Sequence, residues 1–155
     1  GRTDLIATFF NNDETLKAEA GKINWPWETV DVIERSNFNR DGRDKLIARV
    51  RSWANDDLDI INNAFVYACM HGHIDAAIFL LEKGAQINAI PGGFDFAGTA
   101  LHYAALNGHQ PMVEFLNERG ADAYIKDKKV GGTPAGWAEY AGHLETKVYL
   151  ERLRP

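Results

Sequence analysis

The feature that most constrains this chain is a dipeptide that returns at nearly fixed intervals. Gly-His occurs at Gly72-His73, Gly108-His109 and Gly142-His143, spaced 36 and 34 residues apart. Around each pair the residues align without gaps. Tyr67-Ala68-Cys69-Met70-His71 stands over Tyr103-Ala104-Ala105-Leu106-Asn107 and over Trp137-Ala138-Glu139-Tyr140-Ala141. Further on, Ile78-Phe79-Leu80 matches Glu114-Phe115-Leu116 and Val148-Tyr149-Leu150, and Gly84-Ala85 matches Gly120-Ala121. A period of this length is the mark of a supersecondary unit that buries its apolar face by stacking on copies of itself.

Within each unit the residues read as helix, short turn, helix and Gly stop. Ala68, Ala104 and Ala138 are small where two helices must approach, and Leu80, Leu116 and Leu150 lie on the apolar face. Gly72, Gly108 and Gly142 close the first helix, where a left-handed backbone is cheapest for Gly, and Gly84 and Gly120 close the second. Thr99 and Thr133 stand at N-cap positions, and Pro134 suits the first helical position.

The segments Thr99-Ala100-Leu101-His102-Tyr103-Ala104 and Thr133-Pro134-Ala135-Gly136-Trp137-Ala138 resemble the Thr-Pro-Leu-His-x-Ala opening of ankyrin repeats, whose unit is about 33 residues long. His102 keeps the histidine of that motif, whereas Val66 and Gly136 replace it in the neighbouring units. Residues 131–138 are similar to bacterial ankyrin sequences. The resemblance covers residues 61–155 and implies an all-α fold: an ankyrin-repeat solenoid of stacked helix-turn-helix units with loop or hairpin fingers. It places three repeats at approximately 61–96, 97–130 and 131–155.

Residues 1–60 are expected to hold a divergent or partial unit with a helical insertion. Residues Gly1 to Phe10 overlay Gly72 to Leu81, so the chain is expected to be a fragment that begins at the second helix of a unit. Helical stretches are expected at Trp27 to Ser36 and Arg43 to Trp53, and helical apolar spacing resumes at Leu58, Ile61, Phe65 and Ala68. Phe9 and Phe10 need cover from other helices, which makes self-association through this end an expectation. At the other end, Lys147, Glu151, Arg152 and Arg154 suggest a polar capping helix.

Composition removes several function classes. The formal net charge is −5, which repels the phosphates of nucleic acid. No apolar run approaches the ~20 residues of a membrane-spanning helix. The single Cys69 cannot form an internal disulfide, and no secretion signal is visible, so a cytoplasmic setting is expected.

Motifs that could carry chemistry are weak. Cys69-x-His71-x-His73 has zinc-type ligands, but Cys69 aligns with Ala105 and His73 with His109 and His143, so packing and capping explain them better. Asn37-Phe38-Asn39-Arg40-Asp41-Gly42 resembles part of a calcium loop, yet the twelfth position is Ala48 where a Glu is required. The two serines, Ser36 and Ser52, lie in no nucleophile elbow, and the Gly-rich run Gly92 to Gly98 has no following Lys. His102, His109 and His143 are explained by repeat position and by hydrogen bonds to backbone or to a neighbouring unit. No catalytic residue, metal or cofactor is therefore expected.

The resemblance implies that loops and first helices carry a partner face. Residue by residue, it points to Phe94, Asp95 and Phe96 in the loop 89–98, to Tyr103 and Asn107 in a first helix, and to Tyr124, Lys126, Lys128 and Lys129 in the loop 124–132. Phe94 and Phe96 either present a hot spot or fold back onto the stack, because interface and core aromatics look alike in sequence. The lysines form a basic strip suited to a carboxylate-rich partner, or a solvated loop. Trp25-Pro26-Trp27 is a third patch, read as an anchor. The expected function is a non-enzymatic protein-interaction module binding a protein partner. The alternative is a regulatory or accessory domain of an enzyme whose catalytic part lies upstream.

Overall fold

The computed structural model describes residues 3–17, 57–92, 94 and 97–153. Among these the chain forms seven helices: α1 Thr3–Ala7, α2 Asp57–Met70, α3 Ile74–Glu82, α4 Ala100–Leu106, α5 Gln110–Glu118, α6 Pro134–Tyr140 and α7 Leu144–Arg152. No strand occurs among the described residues, and one isolated bridge joins Phe10 to Leu16. The expected helices at Trp27 to Ser36 and Arg43 to Trp53, the Trp25-Pro26-Trp27 patch and the Asn37 to Gly42 loop lie outside the described residues. No described helix is long and apolar enough to cross a membrane.

The chain divides into two compact units, residues 4–60 and residues 61–155 with 1–3. In the first, α1 runs into a tight turn in which Asn11 N–H donates to Thr15 O at 2.7 Å and Lys17 N–H to Phe9 O at 2.8 Å. Asp13 Oδ1 accepts from the Thr15 backbone N–H at 3.2 Å, an Asx-type closure, and from the Thr15 hydroxyl at 2.6 Å. Of the two aromatics expected to need cover, Phe10 is buried and Phe9 is exposed.

The second unit holds α2 from Ile61 onward and the pairs that follow. Each first helix ends at a glycine with φ of +71° (Gly72), +65° (Gly108) or +82° (Gly142). There the chain makes a paired closure: His73 N–H reaches Ala68 O at 2.9 Å while Gly72 N–H reaches Cys69 O at 3.1 Å, and the same pair of bonds recurs at 108–109 and 142–143. This is the Schellman arrangement, which uses up the last carbonyls of the helix and needs a left-handed residue at its centre. At the other end, Thr133 Oγ1 accepts from Gly136 N–H at 3.3 Å and Pro134 opens α6 without wasting a donor.

Packing follows from the small and branched residues. Ala104 and Ala138 are fully buried, Ala68 nearly so, and the core between the pairs is filled by Phe65, Leu80, Leu101, Met112, Leu116 and Leu150. Each large apolar side chain among these contributes about 1.5–3 kcal/mol of burial free energy. Successive units interlock at the repeated dipeptide. A Cβ on Gly72 would lie 3.2 Å from the His109 ring, and one on Gly108 would lie 2.5 Å from His143 Nδ1. The bare glycine backbone is thus the seat for the next unit's imidazole.

At Gly142 that seat is open, with nothing within 4 Å of a built Cβ. Beside it Tyr140 is 89% exposed and Leu144 62% exposed. The expected polar face of the last helix is present, with Glu151 and Arg152 exposed, while Arg154 lies outside the described residues. Lys147 does bond Glu139 at 2.6 Å and approaches Glu151 at 4.0 Å, but Tyr140 aligns with Met70 and Leu106, both partly buried in their own units. The register that hides those two residues leaves Tyr140 in water.

Candidate functional site

The two loops named as a partner face are built by different means. In the loop 89–98, Phe94 turns inward and is only 6% exposed. Its ring centroid lies 4.8 Å from that of Tyr67 and 4.8 Å from that of Tyr103, in tilted geometry. Tyr103 continues the stack to Trp137 at 5.2 Å, edge-on. Such ring pairs are favourable beyond the area they bury. Phe94 and Tyr103 are therefore corrected from surface contacts to stack residues: each sits in a slot between aromatic neighbours and presents little to solvent. Asp95 and Phe96 lie outside the described residues.

The loop 124–132 is organised around Asp127, which is 4% exposed. Its Oδ1 accepts from the backbone N–H of Lys129 at 2.8 Å and of Val130 at 2.7 Å. Its Oδ2 accepts from Gly132 N–H at 2.7 Å and from Trp137 Nε1–H at 3.0 Å. Burial by itself raises the carboxyl's pKa, but the bonds from Val130, Trp137, Lys129 and Gly132 prevail and hold it well below the usual carboxylate range. Gly132 is bare for a steric reason, since a Cβ there would lie 2.9 Å from Asp127 Oδ2 and 3.0 Å from Trp137 Nε1.

His102 ties this loop to α4. Its Nδ1 lies 3.1 Å from Thr99 N and 2.8 Å from Thr99 Oγ1, and its Nε2 lies 3.1 Å from Gly132 O. A backbone N–H only donates and a carbonyl only accepts, so these partners fix the neutral tautomer with the proton on Nε2. Burial pushes the imidazole pKa below its ordinary value, against the opposing pull of the Gly132 carbonyl and the Asp127 charge. The ring is structural: both nitrogens are occupied. Two further bonds pin the loop to its predecessor, Lys128 N–H to Ala97 O at 3.2 Å and Asp122 N–H to Asn88 Oδ1 at 2.9 Å.

What this scaffold displays is a row of outward side chains. Tyr124, Lys126, Lys128, Lys129 and Val130 are exposed, while Asp127 among them and Ala123 before them are buried. Four of the residues named from sequence are thus brought together on one rigid tip. Asn107 is exposed too and donates from its side chain to Tyr103 O at 2.9 Å. It caps the far end of α4, about 12 Å along the axis from Thr99, and so stands apart from the tip.

The thiol and imidazoles of Cys69, His71 and His73 do not converge. Cys69 is buried in α2 and its thiol pKa is driven up by burial, while His71 and His73 are exposed beyond the helix end with ring centroids 6.2 Å apart. Asp127 is the organising residue that reading by repeat position passed over as part of a charged strip. The available signal was one acid among lysines just before Gly-Gly-Thr, since Asp commonly bonds the backbone of a turn ahead of it.

No curated protein matches the chain. A family model described as ankyrin repeats, in three copies, matches residues 44–127. The match begins within the stretch read as divergent and stops before α6 and α7, which repeat the same dipeptide, caps and Schellman closures. With that match spanning more than half of the sequence, and helix pairs interlocked at Gly72–His109 and Gly108–His143, the chain belongs to the ankyrin-repeat family.

Proposed function

We propose that the chain is a non-catalytic module that holds a protein partner against the tip of the loop 124–132. Ankyrin repeats are generally protein–protein interaction modules. The observation that carries the assignment to this tip is the inward commitment of Asp127, which fixes the loop while leaving Tyr124, Lys126 and Lys128 exposed. A surface already held in one conformation loses little entropy on binding. Tyrosine is also among the residues enriched where proteins meet.

Site-specific cross-linking tests this. A photoreactive phenylalanine analogue placed at position 124 of the full chain is expected to give a discrete protein adduct in lysate of the source cells. The same group at position 139, on the exposed face of α6, gives none. Adducts of equal yield at both positions, or none at 124, would overturn the assignment.

A further inference from the structure

We infer that the partner segment seated on this tip is an acidic peptide, rich in Asp or Glu and carrying an apolar residue for Tyr124; this rests on the function proposed above. Three observations lead to it. Lys126, Lys128 and Lys129 are all exposed. The one acid among them faces inward with its carboxylate taken by four N–H donors, so it does not pair with these lysines on the outer surface. No carboxylate among the described residues lies within ion-pair distance of Lys126 or Lys128.

The rest of the molecule sharpens the choice. With a net charge of −5, the protein as a whole repels an acidic segment, so the neighbouring exposed cations Lys126 and Lys128 mark a local place where attraction wins. That combination selects for register and orientation: the peptide is steered to the tip and kept off the remaining surface. Exposed ion pairs are individually weak, and Tyr124 at 43% exposure and Val130 at 75% supply the apolar contact that lysines lack. A nucleic acid offers the same sign of charge, but a long phosphate backbone would run off three lysines onto an acidic surface, which disfavours it.

The test uses the full chain and fluorescein-labelled probes followed by anisotropy. The probes are a Glu-rich peptide of about ten residues with a central Leu, the corresponding Lys-rich peptide, and a single-stranded DNA of similar charge; salt is varied from about 50 to 300 mM. The Glu-rich peptide is expected to bind and to weaken as salt rises. The triple variant Lys126→Glu/Lys128→Glu/Lys129→Glu is expected to lose at least about tenfold in affinity for it and to gain affinity for the Lys-rich peptide. A neutral variant, Lys126→Gln/Lys128→Gln/Lys129→Gln, falls between, and circular dichroism verifies the fold of both. No binding of the Glu-rich peptide, tighter binding of the DNA, or indifference to either substitution overturns the acidic-peptide inference. If the adduct at position 124 persists while the peptide fails, only the partner's chemistry is wrong; if both fail, the tip is not the docking face.

Discussion

The loops 89–98 and 124–132 occupy equivalent places between successive helix pairs, yet one turns its conspicuous residue inward and the other turns most of its conspicuous residues outward. Phe94 fills a slot between Tyr67 and Tyr103, whereas Lys126 and Lys128 stand in solvent over a buried Asp127. What decides is what the inward side chain of each loop meets. Below the first lie aromatic faces. In the second, three of the loop's own backbone N–H groups and the Trp137 indole beneath it converge on one carboxylate. Phe94 therefore bears on stability, whereas the exposed lysines of the second loop carry the recognition proposed above. Phe94→Ala is expected to break that division most visibly, destabilising the fold by about 3–4 kcal/mol in urea unfolding because it empties a slot between two rings. A change below about 1 kcal/mol would return Phe94 to the surface.

The matching experiment on the second loop removes its anchor. Asp127→Ala leaves the N–H groups of Lys129, Val130 and Gly132 and the Trp137 indole without their carboxylate. Donors to a charged acceptor are worth more than neutral ones, and water replaces some of them at a loop, so a loss of about 2–3 kcal/mol is expected. The same variant should loosen the tip, which faster amide hydrogen exchange at Lys129 and Val130 would report.

A smaller effect separates the interior of the stack from its end. Gly108→Ala and Gly142→Ala carry the same backbone cost, since both glycines have positive φ. Only at Gly108 does the new methyl strike a ring, that of His143. We expect about 1 kcal/mol for Gly142→Ala and about 2 kcal/mol for Gly108→Ala, the difference measuring the imidazole seat alone. Equal losses in thermal unfolding would mean that the ring simply swings aside.

Much of this was legible in the sequence because repetition averages out accident. Three aligned copies expose which positions want Gly, Ala or Leu, and the caps at Thr99 and Thr133 and the stops at Gly72, Gly108 and Gly142 sit where that alignment places them. The loops carry no such redundancy. Phe94 has no counterpart in the later, shorter loop, so alignment could not say whether its ring met water or Tyr103. Asp127 looked like one charge among four because its partners are backbone N–H groups, which leave no trace in side-chain spelling.

His102 supplies a test by pH. Because its folded pKa lies below the ordinary imidazole value of about 6.5, the unfolded chain takes up a proton that the folded chain refuses. Stability is therefore full above that value and falls as pH drops through it toward the folded pKa, with a ceiling for one proton of about 1.4 kcal/mol per pH unit. His102→Gln should be less stable at neutral pH and should show a shallower slope in this window. An unchanged slope would assign the acid sensitivity to the other histidines.

The smallest expected effect on stability belongs to the lysines, and it is the most informative about the two loops. Lys126 and Lys128 are exposed and meet no carboxylate among the described residues, so no ion pair there depends on their charge. Replacing Lys126 and Lys128 with Gln is expected to change unfolding free energy by less than about 0.5 kcal/mol. Set beside Phe94→Ala, this gives opposite signatures: one loop whose substitution unfolds the protein, and one whose substitution leaves it folded but unable to hold an acidic peptide. If the Gln variant instead lost 2 kcal/mol or so, the lysines would be structural through contacts of their stems, and an outward-facing recognition tip would no longer describe the loop.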